Sequence, residues 1–171
     1  MTALPIEGVR TRTVTWTDPA RARFMLRDRD GYDQLREIAR GAAAVPPAAA
    51  LLGMDIESVH RGRVVFTTVA DEMFENPMGT MHGGIIAALV DSAMGCAVLS
   101  MLPAGTGYTT LELKTNYVRP IVQTTGRVRA EGRVVHLGGS VATTAATVKD
   151  EHGTLYAHGT STCLIKRPAK R

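Results

Sequence analysis

The stretch "NPMGTMHGGIIAALVDSAMGCAVLSM", Asn76–Met101, decides the fold. It opens polar and glycine-rich, then runs almost wholly apolar. One carboxylate, Asp91, interrupts the apolar part. The pattern predicts a loop over 76–84 and a helix over 85–102, broken by Pro103, Gly105 and Gly107. A helix apolar nearly all round must be buried on most sides. Residues 84–102 are apolar enough to suggest a membrane span. Asp91, Ser92, Gly95, Ser100 and strand-like flanks argue against that reading.

Outward from the helix the period is that of strands. "MDIESVHRGRVVFTTVA" reads as two strands joined near His60-Arg61-Gly62. Four more are expected over 108–118, 126–137, 140–149 and 155–165. In the second of these Val128, Ala130, Gly132 and Val134 alternate with Arg127, Arg129, Glu131 and Arg133. "LGG" (137–139) and "DEHG" (150–153) supply hairpin turns. One helix among consecutive antiparallel strands defines an α+β domain, and the simplest way to bury the helix is to wrap the sheet around it.

Residues 1–45 read as a partly helical extension ahead of a main domain over 46–166, with a basic tail at 167–171. Asp18 or Thr17 can cap a helix with Pro19 in its first turn, and "GYDQLREIARG" gives a second helix closed by Gly41. "AAAVPPAAALLG" is part linker, part short helix ending at Gly53.

With 44% hydrophobic and 21% charged residues, the 171-residue chain belongs to the soluble globular class. Its net charge of +4 is concentrated at the two ends. No basic stripe interleaves with aromatics, so nucleic acid is not expected as a partner. The N-terminus lacks an apolar signal region, so a cytoplasmic location is expected. Cys96 and Cys163 read as buried thiols rather than a disulfide or zinc pair. The five histidines show no zinc-ligand spacing, so no metal is expected. There is no G-x-S-x-G elbow.

Asp91 carries the functional argument. An unpaired carboxylate in apolar surroundings is costly, and no basic residue stands three or four positions on. It either faces solvent, caps a kink, or serves a pocket. His82-Gly83-Gly84 stands at the helix start, where free N–H groups and the helix dipole favour negative charge. That can be a tight turn or an oxyanion hole. His82 and Asp91 are nine residues apart, about 13 Å and two and a half turns along a helix, and point to opposite sides. A twofold axis would bring Asp91 of one chain to the loop of another.

"NPMGTMHGGIIAALVDSAMG" followed by "TTLELKTNYVRP" resembles the hotdog-fold acyl-CoA thioesterases, in the PaaI-like (phenylacetate-type) branch. The resemblance covers about residues 50–165. It implies a curved antiparallel sheet around the central helix, and a homodimer with interfacial sites, often paired again as a homotetramer. It implies Asp91 as general base or nucleophile, and the Gly83 amide, with Gly84 beside it, polarising the thioester carbonyl. It further implies that His82 and Asn76 shape the loop, that Asn76 orients the water or carbonyl, and that Thr110 assists the water. Thr109 stands one register away. Arg119 and the turn His136-Leu137-Gly138-Gly139 match positions near coenzyme A, although Arg119 reads equally as a strand-end surface charge. Gly139 stands where many relatives carry a basic residue. Coenzyme A enters as part of the substrate, and no cofactor is implied.

Two other classes fit less well. A non-catalytic acyl-CoA sensor would use residues 18–41 as a DNA-binding helix pair, but acids mix there with arginines. A hotdog dehydratase would need a different layout of His and acid.

Overall fold

In the computed structural model, residues 8–167 are described. Residues 1–7 and all of the expected basic tail except Arg167 lie outside them. Helices α1 (Pro19–Leu26), α2 (Gly31–Ala39) and α3 (Pro47–Leu51) precede strands β1 (Asp55–His60) and β2 (Arg63–Val69). The long helix α4 (Gly83–Leu99) follows. Then come β3 (Gly107–Tyr117), β4 (Arg127–Leu137), β5 (Val141–Asp150) and β6 (Leu155–Lys166). One six-stranded sheet has the order β1-β2-β4-β5-β6-β3, with every pair antiparallel. This is the hotdog arrangement expected from the sequence.

The sheet curves around α4 because α4 is apolar on nearly every side. Leu89, Val90, Ala93, Met94, Ala97 and Val98 are fully buried. Leu89, Val90, Ala93 and Met94 pack with Val64 and Phe66 of β2, Val128 and Ala130 of β4, and Val148 of β5, while Val98 packs in a second cluster with Ala142, Cys163 and Ile165. Each large side chain so buried contributes about 1.5–3 kcal/mol. The approach is closest at Gly132, where a Cβ would lie 2.3 Å from the Ala93 backbone. Glycine there lets helix and sheet touch.

Helix α4 begins two residues before the expected Ile85 and ends three before the expected Leu102. His82 caps its start, and Ser100 ends it, with the Ser100 hydroxyl donating to Ala97 O at 2.7 Å. The extension does not stand apart from the domain. Leu35 of α2 is 2% exposed and lies in the same core cluster as α4. Asp18 and Asp30 cap α1 and α2 through their side chains. Both cysteines are free. Among the described residues no helix is long and apolar enough to cross a membrane.

Candidate active site

Asp91 is half-buried on α4, and its Oδ1 accepts a hydrogen bond of 2.9 Å from the Thr110 hydroxyl. Strand β3 delivers Thr110 through a bulge. Thr110 pairs with Cys163 and Glu112 with Thr162, leaving Leu111 without a partner. Bulges of this kind re-aim neighbouring side chains. Thr109 makes no hydrogen bond to Asp91, so the two threonines are told apart by geometry.

A cavity of ≈ 370 Å³ opens beside Asp91. Its other lining groups from α4 and β3 are Ser92, Cys96 and Tyr108. Burial, with the Asp91 charge adding to it, pushes the Cys96 thiol up to about 12. Burial likewise raises the Tyr108 phenol. Both groups are neutral at physiological pH, so Cys96 is a thiol and not a nucleophilic thiolate.

The amides that open α4 can be accounted for one by one. Gly84 N–H donates to His82 Nδ1 at 3.0 Å. Ile85 and Ile86 N–H both donate to His82 O. Gly83 N–H has no acceptor among the described residues. Of the two glycine amides expected to face a carbonyl, that of Gly84 is engaged by His82 and that of Gly83 is not. An accepting Nδ1 places the imidazole proton on Nε2.

Asn76 is occupied with its own loop. Its Oδ1 accepts from Met78 N at 2.9 Å and Thr80 N at 3.3 Å, while its Nδ2 donates to Thr80 Oγ1 at 2.9 Å. These contacts agree with the expected part of Asn76 in shaping the loop. The loop is further pinned by Met81 N to Ile121 O at 2.8 Å and His82 N to Phe74 O at 2.7 Å. Tyr117, which sequence reasoning missed, donates to Gly83 O at 2.8 Å and fixes that peptide. The only sequence signal for it was an aromatic at a strand end.

Asn76, Gly83, Tyr117 and Arg119 line a second cleft of ≈ 350 Å³. Arg119 donates to Leu155 O at 2.8 Å. Leu137 and Gly138 line a third cleft with Met101, Pro103 and Arg167, while His136 and Gly139 are exposed on the same hairpin. Helix α4 therefore presents two features: the Asp91 acid beside one cavity, and in a separate cleft Gly83, whose N–H has no acceptor among the described residues. Eight residues separate them, about 12 Å along the helix. The His136–Gly139 turn joins neither. No cluster of three or more His, Cys, Asp or Glu suited to a metal occurs among the described residues.

Comparison with known proteins gives the class. The family model of the thioesterase superfamily matches residues 78–157. A Saccharolobus solfataricus protein provisionally named an esterase is 31% identical over 116 residues, 68% of this chain and 81% of that protein. The proofreading thioesterase EntH of Klebsiella pneumoniae is 29% identical over 120 residues, 70% of this chain and 86% of that protein. A crystal structure of a phenylacetic acid degradation-related protein from Ralstonia eutropha superposes with TM-score 0.69 at 30% identity. It covers 76% of this chain and 98% of that one. The PaaI protein of E. coli, at 21% identity and TM-score 0.69, shares the fold over 81% of this chain and 96% of that one. The chain belongs to the thioesterase superfamily, in its hotdog-fold form, and is a thioester hydrolase.

Proposed function

We propose that this protein hydrolyses acyl-CoA thioesters to the free acid and coenzyme A, with small, medium-chain or aryl acyl groups as substrates. The observation that carries this reading is the Asp91 carboxylate, held by Thr110 at the rim of an apolar cavity. Asp91 acts as general base on a water or attacks the carbonyl itself. Gly83 N–H, at the positive end of α4, receives the oxyanion. The thiolate then leaves; where Asp91 is the nucleophile, water next cleaves the Asp91 mixed anhydride, which releases the acid and restores the carboxylate. A thioester needs no more activation than this.

The active unit in this reading is a homodimer, paired again as a homotetramer. Strand β3 supports it: eleven residues long, bonded to β6 on one side only, with Leu111 57% and Tyr117 51% exposed. Such an edge is a template for pairing with a second chain. Twofold pairing would bring the acid half-site of one protomer to the amide half-site of its mate. Arg119 in the amide cleft would meet the coenzyme A phosphates, and the His136–Gly139 turn would lie further along the nucleotide. The protein would work in the cytoplasm.

The test is thiol release from a panel running from acetyl- to palmitoyl-CoA and including phenylacetyl- and benzoyl-CoA. Turnover of at least one short, medium or aryl member is expected. Silence across the panel contradicts the reading.

A further inference from the structure

We infer that the segment ahead of β1, residues 35–49, forms the back wall of the acyl chamber. It sets the chamber's depth, so that the substrate is the thioester of one aromatic ring or a medium alkyl chain. This rests on the thioesterase reading above. The cavity beside Asp91 has Met54, Ile56 and Phe66 on its sheet side. Leu35 and Ile38 of α2 and Val45 and Pro46 of the linker before α3 line the same cavity. A mainly apolar chamber whose charged lining residues are two carboxylates, Asp91 and the exposed Asp55, can take the acyl half of a thioester but not its negatively charged nucleotide half.

The wall is fixed to the domain. Leu35 is 2% exposed in the main core. Gly31 N–H donates to Leu102 O at 3.0 Å, and Asp30 bonds Arg61 of the β1–β2 turn at 2.7 Å. The α2 part of the wall is therefore anchored, and Val45 and Pro46 complete it from the exposed linker. A cavity of roughly 150 Å³ lined by aliphatic side chains holds a benzene. A chamber of ≈ 370 Å³ holds a substituted ring or a medium chain and excludes a long one. The wall residues precede the matched family region at 78–157, so acyl selectivity is written outside the part that defines the family.

The experiment compares kcat/KM on hexanoyl-, decanoyl-, palmitoyl- and phenylacetyl-CoA for the full-length protein and its Ile38→Ala, Val45→Ala and Val45→Trp variants. Val45 is 37% exposed in a linker, so its variants keep the fold even where Ile38→Ala does not. The wild type is expected to favour hexanoyl- or phenylacetyl-CoA over palmitoyl-CoA. The widening variants raise the decanoyl-to-hexanoyl ratio about tenfold, and the filling variant lowers decanoyl and phenylacetyl turnover by a similar factor. Ratios within about twofold of wild type in every active variant overturn the wall while leaving the thioesterase reading intact. A wild type silent on every acyl-CoA overturns that reading, and this inference with it.

Discussion

The Thr110 hydroxyl donates to Asp91 Oδ1 at 2.9 Å, joining the first strand after the helix to the one acid within it. A hydrogen bond to a charged group is worth about 1.5–3 kcal/mol. Thr110→Val keeps the shape and removes the donor. It should lower kcat/KM about ten- to hundredfold, with Thr110→Ser recovering most of the loss. Steady-state thiol release measures both, and equal activity of the Val variant would remove Thr110 from the site.

Asp91→Asn should leave the protein folded while kcat falls about 10²–10⁴-fold, the usual contribution of a positioned base. Its melting temperature should equal or exceed that of the wild type, because a half-buried charge is removed. Thermal unfolding beside the kinetics separates lost chemistry from lost structure.

Cys96 should be unreactive in the native state although it lines the cavity. With its thiol pushed up to about 12, little thiolate exists at pH 8. The Asp91 charge adds to that shift, so Asp91→Asn lowers the thiol's pKa and should speed labelling. Peptide mass spectrometry after timed iodoacetamide treatment distinguishes Cys96 from Cys163. Fast native labelling of Cys96 would contradict the description of its surroundings.

The Asp30 carboxyl is held below its ordinary value first by the hydrogen bond from Arg61 and next by Asp33 N–H at the head of α2. A depressed folded-state pKa stabilises above the unfolded value and loses that stabilisation as pH falls through the folded one. The window therefore lies below about pH 4. Asn caps a helix as well as Asp does, so Asp30→Asn isolates the charge. Asp30 is 28% and Arg61 54% exposed, so solvent screens the pair and its contribution to stability is small. Asp30→Asn should therefore lower the melting temperature at pH 7 only slightly. The difference from wild type should shrink steadily as the pH is lowered below about 4, and one unchanged by acid would refute the ion pair as its source.

The parts of this fold legible in the sequence are those set by local pattern. The apolar run of α4, the alternation in β4, and the turns at 137–139 and 150–153 all stand within two or three residues of where periodicity and glycine placed them. Strand order was not legible. Strand β3 follows the helix yet crosses to the far edge beside β6, a choice made by long-range pairing. The site divides the same way. Asp91 and the His82–Gly84 loop announce themselves by chemistry out of place. Tyr117 does not, because its hydrogen bond to Gly83 spans thirty-four positions. Nor does the unequal use of the glycine amides, which depends on a histidine rotamer. The chamber wall was hidden because Leu35, Ile38 and Val45 look like ordinary residues of an amphipathic extension.

The central claim is that Asp91 of one protomer works with Gly83 N–H of another, and mixed dimers test it most directly. Gly83→Pro deletes the free amide at the first helical position, where proline is well tolerated, and His82 already has the extended ψ of 131 that a following proline requires. Each of Gly83→Pro and Asp91→Asn should be nearly inactive alone. A doubly tagged heterodimer of the two should regain about half of wild-type kcat, since one of its two sites is then intact. A heterodimer no more active than the mean of its parents would show that acid and amide do not meet across the interface, and the account would fail.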